Sequence, residues 1–367
     1  MKYQTEFRSP DYVEKLSKQI KAITTQEWKI MEICGGQTHS IAKFGLFDLL
    51  PDKIELIHGP GCPVCVTPKR TLDHAMDIAS NPKVIFCTFG DMLRVPGSRE
   101  DLLALKAKGA DIRMIYSPLE VIELALNNKD KEVILFAVGF ETTAPMHAMA
   151  IKQAAILGLK NFSVLTSLVL VPPAMEYILQ SPLNQVQGFL AAGHVCTIMG
   201  DAAYYPIAKK YHVPIIITGF EPVDILQGIL HCVLQLEKKI AIVENQYTRL
   251  VHPQGNSYAK NLLAEVFDET DSLWRGIGNI AKSAFVINEK YAYFDANNRF
   301  PIRDVQNSAE NAICISGEIL QGLKKPSQCP AFKKACTPET PLGAPMVSTE
   351  GACAAYFRYS RDDHEYV

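Results

Sequence analysis

The chain has 367 residues, 48% hydrophobic and 21% charged, with 22 Gly and 22 Pro: the composition of a globular protein with two or three cores rather than of a disordered or fibrous one. Its 37 Lys and Arg against 39 Asp and Glu leave a formal charge of -2 with no basic run, which excludes the electrostatic footprint of a nucleic-acid binder. An N-terminal MKYQTEFRSPDYVEK without an apolar segment, and apolar runs far short of the roughly 20 residues that span a bilayer, predict a cytoplasmic protein without a membrane anchor.

In chain order, DYVEKLSKQIKAI predicts a helix whose packing partner the sequence does not fix. From residue 28 to about 240, eight apolar runs alternate with amphipathic stretches: WKIMEIC, KIELIHGPGC, KVIFCTFG, DIRMIYSP, EVILFAVGF, NFSVLTSLVL, QGFLAAGHV and VPIIITGF. This rhythm predicts βαβ units, with parallel strands buried on both faces. KRTLDHAMDIAS (69–80) and EPVDILQGILHCVLQLEKK (221–239) predict helices covering those faces. Eight strands divide most simply into two four-stranded halves, with the break at the polar NNKDKE (127–132). After about residue 245 the rhythm stops, and a helix-like SYAKNLLAEVFD, a Trp-Arg-Gly-Ile-Gly turn and a Pro- and Cys-bearing tail follow. Gly-rich turns sit directly after strands, at the carboxyl ends where open α/β sheets build sites.

Ten cysteines in a reducing compartment point to metal or thiol chemistry, not to a disulfide framework. The last four are spaced Cys314-x14-Cys329-x6-Cys336-x16-Cys353 in a Pro-rich segment that needs a staple. Wide, uneven spacing suits a [4Fe–4S] cluster held from separate loops, with structural zinc or no ligand as the alternatives. In HGPGCPVC, Cys62 and Cys65 lie between a strand and a helix start, where a thiolate is favoured. A redox dithiol exposed by the Gly-Pro-Gly turn is expected there, with a metal site or packing as the alternatives. Cys34 ends the first strand in EICGGQTHS, with Gly-Gly opening the backbone and His39 five residues on; a functional thiolate competes with a buried strand cysteine. Cys87 and Cys232 lie in apolar patterns and read as core. His194 and Cys196 in GHVCTIMG are undecided, and Glu141 and Glu221 read equally as helix caps and as site carboxylates.

Together ICGGQTHS, HGPGCPVC, VGFETTAP, AAGHVCTIMG, GFEPVDIL and the terminal cysteines, spread from about residue 28 to 357, closely resemble the HypD family of hydrogenase maturation factors. The resemblance implies an iron–sulfur scaffold that works with a HypC-type chaperone. It would hold the iron of the [NiFe]-hydrogenase site while cyanide, from a HypE-type carrier loaded through HypF, and carbon monoxide are assembled into Fe(CN)2CO. It implies an α/β fold: two similar domains with mostly parallel four-stranded sheets flanked by helices, 25–130 and 131–242, plus a mainly helical or irregular iron–sulfur domain from 1–24 and 243–367. By the same resemblance Cys34 is the ligand of the transient iron with His39 beside it, Cys62 and Cys65 are the redox dithiol, and Cys314, Cys329, Cys336 and Cys353 bind the [4Fe–4S] cluster. Releasing cyanide from a thiocyanate-like carrier needs electrons, which a cluster near a dithiol supplies, as in ferredoxin:thioredoxin reductase by chemistry though not by sequence. An assembly scaffold with redox activity is therefore expected. The alternative is an iron–sulfur thiol-disulfide oxidoreductase in which Cys34 is only structural, and a zinc-stapled interaction module is third.

Overall fold

The computed structural model describes residues 5–302 and 313–359. All eight expected strands are present: β1 (Trp28–Glu32), β2 (Ile54–His58), β3 (Val84–Thr88), β4 (Ile112–Met114), β5 (Glu132–Gly139), β6 (Phe162–Val169), β7 (Gly188–Ala192) and β8 (Ile215–Thr218). Three more follow, β9 (Val243–Asn245), β10 (Phe267–Trp274) and β11 (Gly278–Ile287).

These strands form a five-stranded sheet, β2-β1-β7-β8-β9, parallel throughout, and a six-stranded sheet, β10-β11-β6-β5-β3-β4, in which β3 to β6 are parallel. The central strands of both are buried on both faces, and their two-residue period sorts side chains between two cores. In the first sheet Ile30, Leu190 and Ile216 enter one core with the helix Pro222–Glu237, while Met31, Phe189 and Ile215 enter the other. In the second, Ile85, Val133 and Leu135 face one side and Phe86, Ile134 and Phe136 the opposite one.

The structure departs from expectation in three ways. The break at 127–132 does not separate the sheets, because β1 and β2 join β7 to β9 while β3 and β4 join β5 and β6. Neither sheet is four-stranded and each draws on both halves of the chain, since parallel pairing requires only complementary apolar faces, not proximity in sequence. The helix Pro10–Ile23 buries Leu16 and Ile20 in the core shared with Ile225, Leu226 and Ile229 of the helix Pro222–Glu237, not with the cysteine-bearing tail. The stretch after 243 also holds strands that were not expected: β10 and β11 make an antiparallel hairpin whose second strand extends the six-stranded sheet beside β6. Gly276, at φ +73°, sits in the short loop between Trp274 and Gly278 and supplies the left-handed turn the hairpin needs. β10 reads FDETDSLW, too polar to announce a strand, and its mostly solvated side chains protect a sheet edge. The expected third region also reaches into 1–4, 303–312 and 360–367, which lie outside the described residues.

Cys87 and Cys232 are fully buried core residues, as expected. His147 is also fully buried, edge-on to Phe89 at 5.9 Å between ring centroids, with no partner for either ring nitrogen. Desolvation alone pushes its pKa down to about 3. The unfolded chain binds a proton at this histidine below the usual value near 6.5 and the folded chain does not, so stability is lost as pH falls through that window. His147→Leu is expected to flatten the fall in unfolding free energy between pH 7 and 4.5, by a few kcal/mol on the scale of about 1.4 kcal/mol per unit; denaturant titrations at both pH values check it.

Candidate functional site

In the five-stranded sheet the chain runs outward from β1 to β2 on one side and from β7 through β8 to β9 on the other, so the strand order reverses between β1 and β7. The carboxyl ends of two such strands diverge and leave a crevice. Cys34 lies two residues past β1 and His194 two residues past β7. Across the crevice Cys34 Sγ stands 3.2 Å from His194 Nε2. The imidazole packs edge-on to Phe220 at 5.1 Å, and Phe220 edge-on to Tyr247 at 6.3 Å.

Burial is the main force on this pair. Cys34 is 3% exposed, and its pKa is pushed up to about 12, first by desolvation and then by the nearby Glu350 carboxylate, with Glu32 adding a smaller push. Desolvation lowers His194 to about 4. Burial thus favours the neutral forms of both, a thiol against an imidazole. A soft cation would reverse the balance at Cys34, because it replaces the lost hydration and releases the thiol proton.

His39, expected beside Cys34, turns elsewhere. Its Nδ1 lies 3.1 Å from the Thr349 carbonyl oxygen and its ring is edge-on to Tyr359 at 5.3 Å, so it secures the C-terminal tail. The imidazole that meets Cys34 comes from a residue 160 positions away, and the glycine turn of GHVCTIMG after an apolar strand was its only sequence signal.

The HGPGCPVC loop lies directly against the crevice. Gly35 N–H donates to the Gly61 carbonyl oxygen at 2.9 Å, and Gly59 N–H to that of Glu32 at 2.9 Å. A Cβ on Gly61 would sit 2.5 Å from both Cα and N of Cys34. Those atoms are backbone and cannot step aside, so Gly61→Ala is expected to cost roughly 1–3 kcal/mol and to distort the Cys34 turn; thermal unfolding checks it. Gly35 is similarly needed, since its Cβ would lie 2.3 Å from the Glu350 carbonyl oxygen. Cys62 and Cys65 form a disulfide, and Cys62 Sγ accepts a hydrogen bond from Cys65 N–H at 3.2 Å at the start of the helix Pro63–Val66. The exposure expected from the Gly-Pro-Gly turn is not found. The two cysteines are 2% and 1% exposed, because the turn folds onto Cys34 and the helix settles against β5 and β6.

The tail closes the crevice. Glu350 is reached by solvent but crowded within the cleft; desolvation first and the Asp91 charge second hold its carboxyl above the usual range. Deeper, Thr38 Oγ1 donates to Glu32 Oε1 at 3.0 Å, the same oxygen makes a short hydrogen bond with His58 Nδ1, and His58 Nε2 meets the Tyr356 hydroxyl at 2.9 Å. Tyr356 belongs to the helix Ala352–Tyr359, which also carries Cys353, so the tail is bonded to the floor of the Cys34 site.

Cys314, Cys329, Cys336 and Cys353 line one small cavity with Ile319, Phe332 and Met346. Cys336 and Cys353 are part of the tail's own small core, beside Ile319, Ala331 and Ala352. Leu342 N–H donates to Cys336 Sγ at 3.3 Å, and a Cβ on Gly343 would stand 2.6 Å from Cys314 Sγ. Among the described residues, no three His, Cys, Asp or Glu side chains are gathered for a single metal ion. Four sulfurs around an apolar cavity, with a backbone N–H on one sulfur and room beside another that only glycine leaves, fit a cluster better than one tetrahedral ion.

Glu221 caps the helix Pro222–Glu237 in a capping box with Asp224 and pairs with Arg8. Glu141 is different: its Oε1 accepts from Val171 N–H at 2.9 Å, at the start of the helix Val171–Gln180 rather than of the helix that follows it in sequence. No helix among the described residues is long and apolar enough to cross a membrane.

A family model described as HypD, Hydrogenase formation hypA family, matches residues 11–360. The chain is 47% identical over 376 residues to the hydrogenase maturation factor HypD of Azotobacter vinelandii, covering 100% of this chain and 99% of that protein. It is 48% identical over 370 residues to the hydrogenase expression/formation protein HupD of Azotobacter chroococcum, covering 98% and 97%. With the hydrogenase maturation factor HypD of Escherichia coli (strain K12) it shares 43% identity over 373 residues, the whole of both chains.

Proposed function

Because the chain belongs to the HypD family of hydrogenase maturation factors and so acts in hydrogenase maturation alongside other maturation proteins, we propose that it is the scaffold on which the iron of a [NiFe] site receives its diatomic ligands. The carrying observation is the Cys34–His194 pair, 3.2 Å apart at the switch point of a parallel sheet. A thiolate from Cys34 is a soft donor suited to low-spin iron with cyanide and carbon monoxide, and neutral His194 is in the protonation state that binds metals. The iron is cargo, held between this chain and a HypC-type chaperone while a HypE-type carrier, loaded through HypF, delivers cyanide to build Fe(CN)2CO.

Cys314, Cys329, Cys336 and Cys353 would hold a resident [4Fe–4S] cluster, which when bound supplies one-electron redox chemistry. This chain's own contribution is to bring the Cys62–Cys65 pair against the Cys34 turn and to shield both from water. The work is cytoplasmic. The test is anaerobic co-isolation with the chaperone from a hydrogenase-competent cell: cyanide and carbon monoxide infrared bands, with iron and acid-labile sulfide, are expected. Iron and sulfide without those bands, together with reduction of a protein disulfide, would favour the thiol-disulfide oxidoreductase instead.

A further inference from the structure

Four strands of the five-stranded sheet end alike. Cys34, His194, Phe220 and Tyr247 lie two residues past the carboxyl ends of β1, β7, β8 and β9, and those strands stand side by side in that order. Strands about 4.8 Å apart set such residues in one row across the sheet. The contacts follow the row: Cys34 Sγ is 3.2 Å from His194 Nε2, the imidazole 5.1 Å from the Phe220 ring, and that ring 6.3 Å from Tyr247. Two glycines lock the row to the backbone. A Cβ on Gly193, the residue before His194, would lie 2.5 Å from a Tyr247 ring carbon, and one on Gly219, the residue before Phe220, 2.6 Å from another. A Cβ on Gly36 would meet the Phe220 ring at 3.3 Å, so the turn that carries Cys34 rests on the same ring.

The row needs an outer stop, because β9 is the last strand on that side among the described residues. Arg249 supplies it. Its guanidinium lies 4.4 Å from the centre of the Tyr247 ring and 3.7 Å from that of Phe7, a cation between two aromatic rings. Its two terminal nitrogens donate to the two Asp224 oxygens at 2.7 and 2.6 Å, and this carboxylate is fully buried on the helix Pro222–Glu237. Such a bidentate pair fixes the plane of the guanidinium as well as its place. Within the row, His194 has no anchor of its own: among the described residues its ring has Cys34 Sγ as hydrogen-bond partner and no second one. Metal-binding histidines are ordinarily oriented by a hydrogen bond at the other ring nitrogen. Here that task falls to packing.

We propose that Arg249 is a positioning residue of the Cys34–His194 pair: held by Asp224, it keeps Tyr247 against Gly193 and Gly219 and so, through Phe220, sets the imidazole with Nε2 toward Cys34. This rests on the metal-binding reading of that pair above. The effect is on geometry alone. Without the stack both donor atoms remain, but the imidazole must be ordered at the moment of binding, and affinity falls by the cost of ordering it.

The experiment titrates the purified full-length protein with Cd2+ by anaerobic calorimetry and reads the binding that Cys34→Ala removes. Cd2+ is the probe because a thiolate still holds this soft cation when the imidazole is gone. Arg249→Lys keeps the charge but loses the planar fork and its stacking; its Kd is expected to be about 10-fold weaker, the lower end of outer-sphere effects on metal affinity. Tyr247→Leu should match it, and Tyr247→Phe, which keeps the ring, should bind as wild type does. The deciding comparison is Arg249→Lys in a His194→Ala background. A residue that acts through His194 has nothing left to position there, so the double variant should bind no more weakly than His194→Ala alone, whereas a general loosening of the fold adds its cost. Additive losses overturn the proposal, as does wild-type affinity in Arg249→Lys or a wild-type protein without Cys34-dependent binding. Should Arg249→Lys fail to fold, Tyr247→Leu against Tyr247→Phe, alone and in the His194→Ala background, decides in the same way. No chaperone or hydrogenase enters this titration, so a failure here with diatomic bands intact removes the positioning role alone, and lost bands with this titration intact remove the scaffold reading alone.

Discussion

Cys34→Ala is expected to leave a folded protein with its tail intact and no diatomic ligand bands when isolated with its partner. Removing one sulfur that is 3% exposed creates a small cavity and costs about 1 kcal/mol. That is small beside the total stability of a chain with five buried clusters. The functional loss is expected to be complete, because His194 is left facing a void and His39 is tied to Thr349 and Tyr359. Hydrogenase activity in a cell whose own copy is deleted should fall to background, while iron and acid-labile sulfide stay at wild-type levels. Retained cyanide and carbon monoxide bands would end the ligand role of Cys34. Cys34→Ser separates softness from size, because it nearly restores the volume but not the donor, and it should be as inactive.

Cys353→Ala is expected to do more damage, in the opposite order. Cys353 lies in the small tail core with Cys336 and lines the four-cysteine cavity, so its loss removes both a ligand and a packing contact. Iron and acid-labile sulfide should fall close to zero, and the stretch 313–359 should become sensitive to protease. The damage should also travel, because this helix carries Tyr356, bonded to His58 and through it to Glu32 beneath the Cys34 turn, and Glu350 sits on Gly35. Diatomic bands should therefore vanish with the cluster. The asymmetry is the test: Cys34→Ala spares the tail, whereas Cys353→Ala loses both. Stoichiometric zinc without sulfide in the wild-type protein would contradict the cluster.

Much of this was legible in the residues. Eight strands were readable because most are buried on both faces, so they stand out as short apolar runs between amphipathic helices. The helices at 69–80 and 221–239 showed their apolar stripes, and Cys87 and Cys232 lay in patterns only a core accommodates. The hairpin of β10 and β11 escaped because its first strand is an edge, held by backbone hydrogen bonds that leave no mark on side-chain type. The buried state of Cys62 and Cys65 escaped for a related reason, since the turn that presents them is covered by strands about 70 and 100 residues further on.

What the amino-acid order by itself determined is local: periodicity, turn chemistry, the kinds of donor atom and their spacing along the chain. Six motifs carry the family, and the four tail cysteines carry the case for a cluster, because chemistry of this sort requires particular atoms. Which strands neighbour which, and so which atoms meet, was decided only by the tertiary structure. Parallel strands pair through faces that many partners match about equally well, and the choice is made by the whole set of layers at once. That choice put β1 beside β7 and brought His194 rather than His39 to Cys34.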